Sequence, residues 1–286
     1  PVAVPKKIPQ AAPKEISNET SDVQKVQQAV SVTTANEEED IPVKEMNIWS
    51  GGFNRTYHVH VPPSYNPSKP TALVVAFHSG GGFSRLMATD KYYGWISKSD
   101  KEGFIVVFPN GASPFKDGRF GTWNAGKCCA YARDQHIDDV SFVRDIVFDI
   151  EAAYTIDRKR IFATGMSNGG MMAYSLACAL PDMFRAIASV AGTDNTISCR
   201  PEKPVSILHI HAKDDDHVLF NGGAGPNIFK DKSKVTEFAS VQSTISSWLK
   251  HNSCAETSKR IVDVPGANCE LYAQCGGAQV QLCVTD

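Results

Sequence analysis

Gly165-Met166-Ser167-Asn168-Gly169 sets one hydroxyl between two glycines, the Gly-x-Ser-x-Gly spacing with which a serine attacks a carbonyl carbon. The apolar run 161–164 before it reads as a strand and the stretch 168–180 after it as a helix, the context that this spacing needs. Glycines two positions to either side let neighbouring backbone approach, and the sharp turn lifts the hydroxyl clear of a sheet. The new helix then points free N–H groups and its positive end at developing negative charge. Ser167 is therefore the expected nucleophile of an acyl transfer.

Such chemistry needs a second N–H for the oxyanion, delivered by the loop after an earlier strand. His78-Ser79-Gly80-Gly81-Gly82 follows the apolar run 71–77, and the Gly80 and Asn168 N–H groups are the expected pair. A plain flexible glycine turn is the alternative. His78 is placed beside the substrate, with holding this loop by hydrogen bonds as its main task. The acid should follow a later strand: Ser206-Ile207-Leu208-His209-Ile210-His211 leads into Asp214-Asp215-Asp216, of which Asp215 is favoured to orient an imidazole and stabilise its cation. A solvated acidic loop is the competing reading.

The elements that must position these residues alternate along the chain. Strands are expected at 54–61, 71–77, 103–108, 160–164, 186–190 and 205–211, with two closing strands around Leu271 and Leu282. Helices are expected at 86–99, 137–154, 168–180 and 235–251. Repeated β-α-β units of this kind imply an α/β fold with a mostly parallel central sheet and helices on both faces. Residues 1–40 carry no aromatic anchor and end in Glu37-Glu38-Glu39-Asp40, so they read as a disordered linker or pro-segment before a single domain at 41–286.

Bulk properties exclude other classes. A net charge of -2 argues against nucleic-acid binding, which needs clustered cations to displace counterions. The longest apolar runs are far too short to span a membrane. Eight cysteines without a paired Cys-x-x-Cys favour disulfides in a secreted protein over a zinc site. A rival metal reading takes His58-Val59-His60, His209-Ile210-His211 and the Asp triplet as ligands, yet no Glu base accompanies them. The leading chemistry calls for no metal or cofactor.

Longer stretches resemble the secreted esterases grouped with polyhydroxybutyrate depolymerases and related to feruloyl and acetylxylan esterases, members of the α/β-hydrolase superfamily. The resemblance runs from about Ile41 to the C-terminus. It rests on residues 78–82, 102–111, 137–140, 154–161 and the turn at Ser167, and most specifically on Trp123-Asn124-Ala125-Gly126-Lys127-Cys128-Cys129. It implies hydrolysis of carboxylic esters, polymeric ones included, with Ser167 and Asp215 at the nucleophile and acid positions and Trp123 lining the substrate pocket. Two departures stand out. Ser79 occupies a position where the family has Gly, and the family's Gly-His-x-Trp segment after the last strand, which carries the catalytic histidine, would begin where Val284-Thr285-Asp286 stand. His217 and His251 are poor substitutes. The expectation is a longer natural protein, with the 286 residues nearly inactive alone; a non-catalytic binding module on the same fold is the alternative.

Spacing around the Gly276-Gly277 turn puts Cys269 opposite Cys283. Cys178 with Cys199 and Cys254 with Cys275 are the favoured further bridges, leaving Cys128 and Cys129 as a vicinal pair. Eight cysteines allow about 105 connectivities, so spacing alone does not decide.

Overall fold

The computed structural model describes residues 42–228 and 237–286. The expected linker at 1–40 lies outside the described residues. Strands β1 (Lys44–Ser50), β2 (Phe53–His60), β3 (Thr71–Phe77), β4 (Ile105–Pro109), β5 (Ile156–Met166), β6 (Ala186–Val190), β7 (Ser206–Ala212), β8 (Lys259–Val264), β9 (Ala267–Tyr272) and β10 (Val280–Thr285) form one sheet. Their order is β1-β2-β4-β3-β5-β6-β7-β10-β9-β8. From β4 through β10 the neighbours pair in parallel, while β1, β2, β9 and β8 pair antiparallel at the two ends. The expected mostly parallel sheet is thus observed.

Continuous apolar sequence marks the strands covered on both sides. Leu73, Val75, Ala76 and Phe77 of β3 and Ile105 through Phe108 of β4 are wholly buried. Helices α1 (Ser84–Ala88), α2 (Asp90–Tyr93), α3 (Trp95–Glu102), α4 (Ala130–Asp134), α5 (Asp139–Ala153), α6 (Asn168–Ala179) and α7 (Val241–His251) cover the sheet. Adjacent residues of β2 show that both faces are used. Tyr57 hydrogen-bonds Asp149 of α5, whereas His58 Nδ1 lies 3.0 Å from Ser84 Oγ of α1, and successive strand residues point to opposite sides. On α5, Phe142, Val143, Ile146, Val147 and Ile150 form the buried stripe, worth roughly 10 kcal/mol of gross apolar burial before entropy is charged.

Three elements depart from the sequence expectation. The helix anticipated at 86–99 is three short ones, because Thr89 turns extended and Gly94 adopts a left-handed φ of 66°. The Asp90 carboxylate then accepts from the Ile96 and Ser97 N–H groups (2.8 and 3.1 Å) and starts α3 afresh. Helix α7 begins at Val241 rather than 235, since the Ser240 hydroxyl caps it by accepting from Ser243 N–H at 3.0 Å. Strands β1 and β8 lie outside the sequence expectation. β1 joins β2 through Gly51-Gly52, both with positive φ (58° and 84°), which is the geometry of a two-residue hairpin.

All four expected disulfides are present: Cys128–Cys129, Cys178–Cys199, Cys254–Cys275 and Cys269–Cys283. The last joins directly opposed residues of β9 and β10.

Candidate active site

Strand β5 ends at Met166, paired with Val190, and the chain reverses sharply into α6. Ser167 carries the reversal with φ 54° and ψ −122°, a combination that a residue with a Cβ adopts only under strain. Its N–H donates to Val190 O (2.8 Å) and its carbonyl accepts from Met171 N–H (3.0 Å), so the turn is pinned from both sides. The flanking glycines are obligatory. A Cβ on Gly165 would lie 2.5 Å from the Gly169 carbonyl carbon, and one on Gly169 would lie 2.6 Å from the carbonyl oxygens of Phe77 and His78. Backbone of β3 therefore packs directly under the turn, which brings the 78–82 loop to Ser167.

Gly80 faces the start of α6: a Cβ built there would sit 3.4 Å from Asn168 Cβ. Neither the Gly80 nor the Asn168 N–H has an acceptor among the described residues. The first N–H groups of a helix lack intrahelical partners by construction, whereas Gly81 and Gly82 in the same loop donate to Gly121 O and Ser79 O. Two unclaimed donors thus adjoin the serine turn. Ser79 is half-buried and its hydroxyl also has no partner among the described residues.

His78 holds its loop by hydrogen bonds as expected, whereas Trp123 does not have the place expected of it. Trp123 is wholly buried, packs on the rings of Phe77 and His78 (centroids 5.1 and 4.8 Å), and donates its indole N–H to His78 O at 2.9 Å. Its main chain is clamped by the Asn168 side chain, whose Oδ1 accepts from Trp123 N–H (2.8 Å) while Nδ2 donates to Trp123 O (3.0 Å). His78 is buried too, and backbone occupies both ring nitrogens: Nδ1–H donates to Ser79 O and Nε2 accepts from Gly111 N–H, each at 2.8 Å. Burial pushes its pKa down to about 4. Both side chains are buried, so the expected substrate contact gives way to a structural role, for His78 the loop-holding already expected and for Trp123 a new one: both fasten the loops around Ser167. Residues of an interior clamp and of a pocket wall look alike in sequence, because the difference lies in a partner 45 positions away, Asn168.

Asp215 lies three residues beyond β7, and of the acidic triplet it alone is half-buried, Asp214 and Asp216 being exposed. Its Oδ1 accepts the N–H groups of His217 and Val218, both at 2.9 Å, and its Oδ2 lies 3.3 Å from His211 Nε2. β10 runs beside β7 with Thr285 opposite Ala212, next to this loop.

The histidines are engaged elsewhere. His60 binds Asp100 and Pro42 O, and His58 binds Ser84. His217 is exposed with Nδ1 on Asp216, and His251 packs against Trp248 on α7. His136 follows α4 as an exposed residue with φ 50°. His209 and His211 are buried against each other on β7. The rival metal site is not assembled, because β2 and β7 are separated by β4, β3, β5 and β6. Among the described residues, Asp215, Asp216 and His217 bring ligand atoms within 4.8 Å, but two of the three are exposed, as acidic loops commonly are without an ion.

Comparison with known proteins finds esterases. A family model described as "Putative esterase" matches residues 50–268. Feruloyl esterase B of Piromyces equi is 32% identical over 232 residues, covering 79% of this chain and 40% of that protein. The bifunctional acetylxylan esterase/xylanase of Neocallimastix patriciarum is 27% identical, with 58% of this chain and 22% of that protein covered. The chain thus spans less than two thirds of the length of these curated relatives. Among solved structures, an acetyl xylan esterase from Aspergillus awamori superposes with a TM-score of 0.57 over 84% of this chain and 92% of that one, at 15% identity, a likeness of fold.

Proposed function

This chain belongs to the Esterase family, and from that premise we propose that it is an extracellular serine carboxylic-ester hydrolase working through an acyl-enzyme on Ser167. One observation carries the reading: Ser167 occupies a strained, glycine-favouring backbone conformation beside two N–H groups, of Gly80 and Asn168, that have no acceptor among the described residues. Ser167 Oγ adds to the ester carbonyl, and those two donors receive the tetrahedral oxyanion where its charge develops. Collapse expels the alcohol and leaves the acyl group on Ser167, and water releases the acid by the same route in reverse. Asp215 holds a catalytic imidazole in the right tautomer and stabilises its cation.

Among the described residues, no hydrogen bond joins Ser167 to any of the eight histidines, and His78, the one beside the turn, has both ring nitrogens taken by backbone. The proposed base therefore comes from outside these 286 residues and docks at Asp215. The relatives' names favour feruloyl and acetyl esters of plant cell walls over polyhydroxyalkanoates as substrates. Four disulfides support an oxidising, extracellular setting.

The engaged histidines also favour a second reading, a binding module that keeps the fold without turnover. The test exposes the protein from its native source, and separately the 286-residue chain, to a fluorophosphonate, followed by intact mass and peptide mapping. One adduct on Ser167 in the native-source protein is expected, with slow or no labelling of the shorter chain. Labelling of neither would transfer the case to the binding module, and fast labelling of the shorter chain would refute the external base.

A further inference from the structure

Behind Asp215 runs a line of buried polar side chains for which the reaction so far has no use. Tyr174 of α6 and His209 and His211 of β7 are each at most 1% exposed. Tyr174 Oη lies 2.9 Å from His209 Nδ1, and His209 Nε2 lies 3.1 Å from His211 Nδ1. His211 Nε2 lies 2.8 Å from Val218 O and 3.3 Å from Asp215 Oδ2. Burying three polar rings costs free energy unless every polar atom is matched, and here every one is.

The direction of each bond follows from one atom together with the charge state of His211. Val218 O can only accept, so His211 Nε2 carries a hydrogen. If His211 is neutral its Nδ1 is bare and takes a hydrogen from His209 Nε2, which leaves His209 Nδ1 bare to accept from the Tyr174 hydroxyl. Burial keeps His209 neutral, its pKa pushed down to about 3, and keeps the Tyr174 hydroxyl protonated. All donors then point the same way, from the nucleophile helix toward the acid.

We propose that Tyr174, His209 and His211 form an uncharged, one-way hydrogen-bond relay that polarises toward Asp215, with His211 as the positioning residue that leaves one side of Asp215 Oδ2 open for a catalytic imidazole. The proposal rests on the esterase reading for the role of Asp215, and on the distances above for the relay itself. Oδ1 already accepts two backbone N–H groups, so the relay meets the carboxylate at the other oxygen. Neutrality is the functional point. A cationic His211 would cancel the charge of Asp215 and compete with the imidazolium that forms during turnover, whereas aligned neutral dipoles favour the ionised carboxylate and leave its charge available. The relay also ties α6, seven residues after Ser167 at Tyr174, to the acid loop, so nucleophile and acid share one reference frame. The carboxylates facing it are Asp194, near Tyr174, and Asp215; Asp216 and His217 of the loop point to solvent.

The test is nitrogen-15 NMR of the histidines in the 286-residue chain at neutral pH, which needs no activity. Both His209 and His211 should show a protonated Nε2 and a bare Nδ1. In Tyr174→Phe, His209 should keep its Nε2–H, because its direction is set from the Val218 end, while the resonance of its bare Nδ1, left without a donor, should shift. A cationic His211, or an Nδ1–H tautomer at either residue in the unmodified chain, would overturn the relay. In the native-source protein, Tyr174→Phe should lower kcat about tenfold with KM unchanged, the equivalent of one net hydrogen bond. His211→Gln, which keeps a donor near the Nε2 position, should retain more kcat than His211→Leu. Equal loss in the Gln and Leu variants would reduce His211 to packing and sink the positioning role. Absence of fluorophosphonate labelling alongside the expected tautomers would fell the esterase reading while the relay stood.

Discussion

Replacing Ser167 by glycine should make the protein more stable while abolishing its chemistry. Ser167 has φ 54° and ψ −122°, and a non-glycine residue held in so sparsely populated a region costs of the order of 1–3 kcal/mol. Glycine releases that strain but adds about 0.5–1 kcal/mol of unfolded-chain entropy. The side chain accounts for no hydrogen bond among the described residues, and the pinning bonds to Val190 and Met171 are main-chain, so nothing else is lost. The net gain is about 1 kcal/mol, or roughly 2–4 °C in melting temperature for a domain of this size. Ser167→Ala supplies the control, since it removes the hydroxyl and keeps a Cβ in the same strained turn. Urea unfolding of the three proteins, compared at equal m-values, reads the difference directly. If the glycine variant unfolds at or below the urea midpoint of the alanine variant, the turn is not strained and the argument for a stored, functional conformation fails.

Other consequences are open to measurement. Asn168→Ala keeps the main-chain donor but leaves Trp123 N–H and O without their 2.8 and 3.0 Å partners; about 2–4 kcal/mol of stability should be lost, seen as a lowered urea midpoint. His78 and His209 have folded pKa values of about 4 and about 3, below the ordinary 6.5. The stability that they contribute is therefore complete above about pH 6.5 and lost as pH falls through the interval down to those values. Moving from pH 7.5 to pH 5 should cost about 2 kcal/mol for each, measurable by urea titration at the two pH values, and His78→Asn should flatten that dependence. Cys269→Ser with Cys283→Ser opens a 14-residue loop and should cost about 3 kcal/mol, read by thermal unfolding against the intact protein.

The nucleophile turn was legible because its chemistry is local: two glycines, a serine and a change of hydrophobic period all fall within one short stretch. The disulfides were legible for a related reason, Cys269 and Cys283 being set opposite each other by the hairpin turn between them. β1 carries a weaker signal, Met46 and Ile48 alternating before Gly51-Gly52. The break at Thr89 and Gly94 lay hidden in a helical period, because a cap such as Asp90 outweighs weak propensity only once its partners at Ile96 and Ser97 are in place. What sequence could not distinguish was contact with substrate from contact with core. Trp123, His78 and His209 all look like site residues in sequence, and partners that hold them, Asn168, Gly111 and Tyr174, lie 33 to 45 positions away. Asp215 stood apart from its neighbours by burial alone, which a triplet of identical residues conceals.

The loop between β4 and α4 is stitched to the scaffold at three places: Gly111 to His78, Gly121 to Gly82, and Trp123 to Asn168. Ala112 and Thr122 close its neck by pairing with each other. The tip, residues 113–120, hangs from this closed clasp, with Phe115 and Phe120 in an exposed edge-to-face contact. Such a segment can lengthen, shorten or be exchanged without disturbing the serine turn, because loop closure has already been settled at the neck. The serine turn and this tip are thereby under separate constraint, and a designer exchanging the tip would cut at the same two residues.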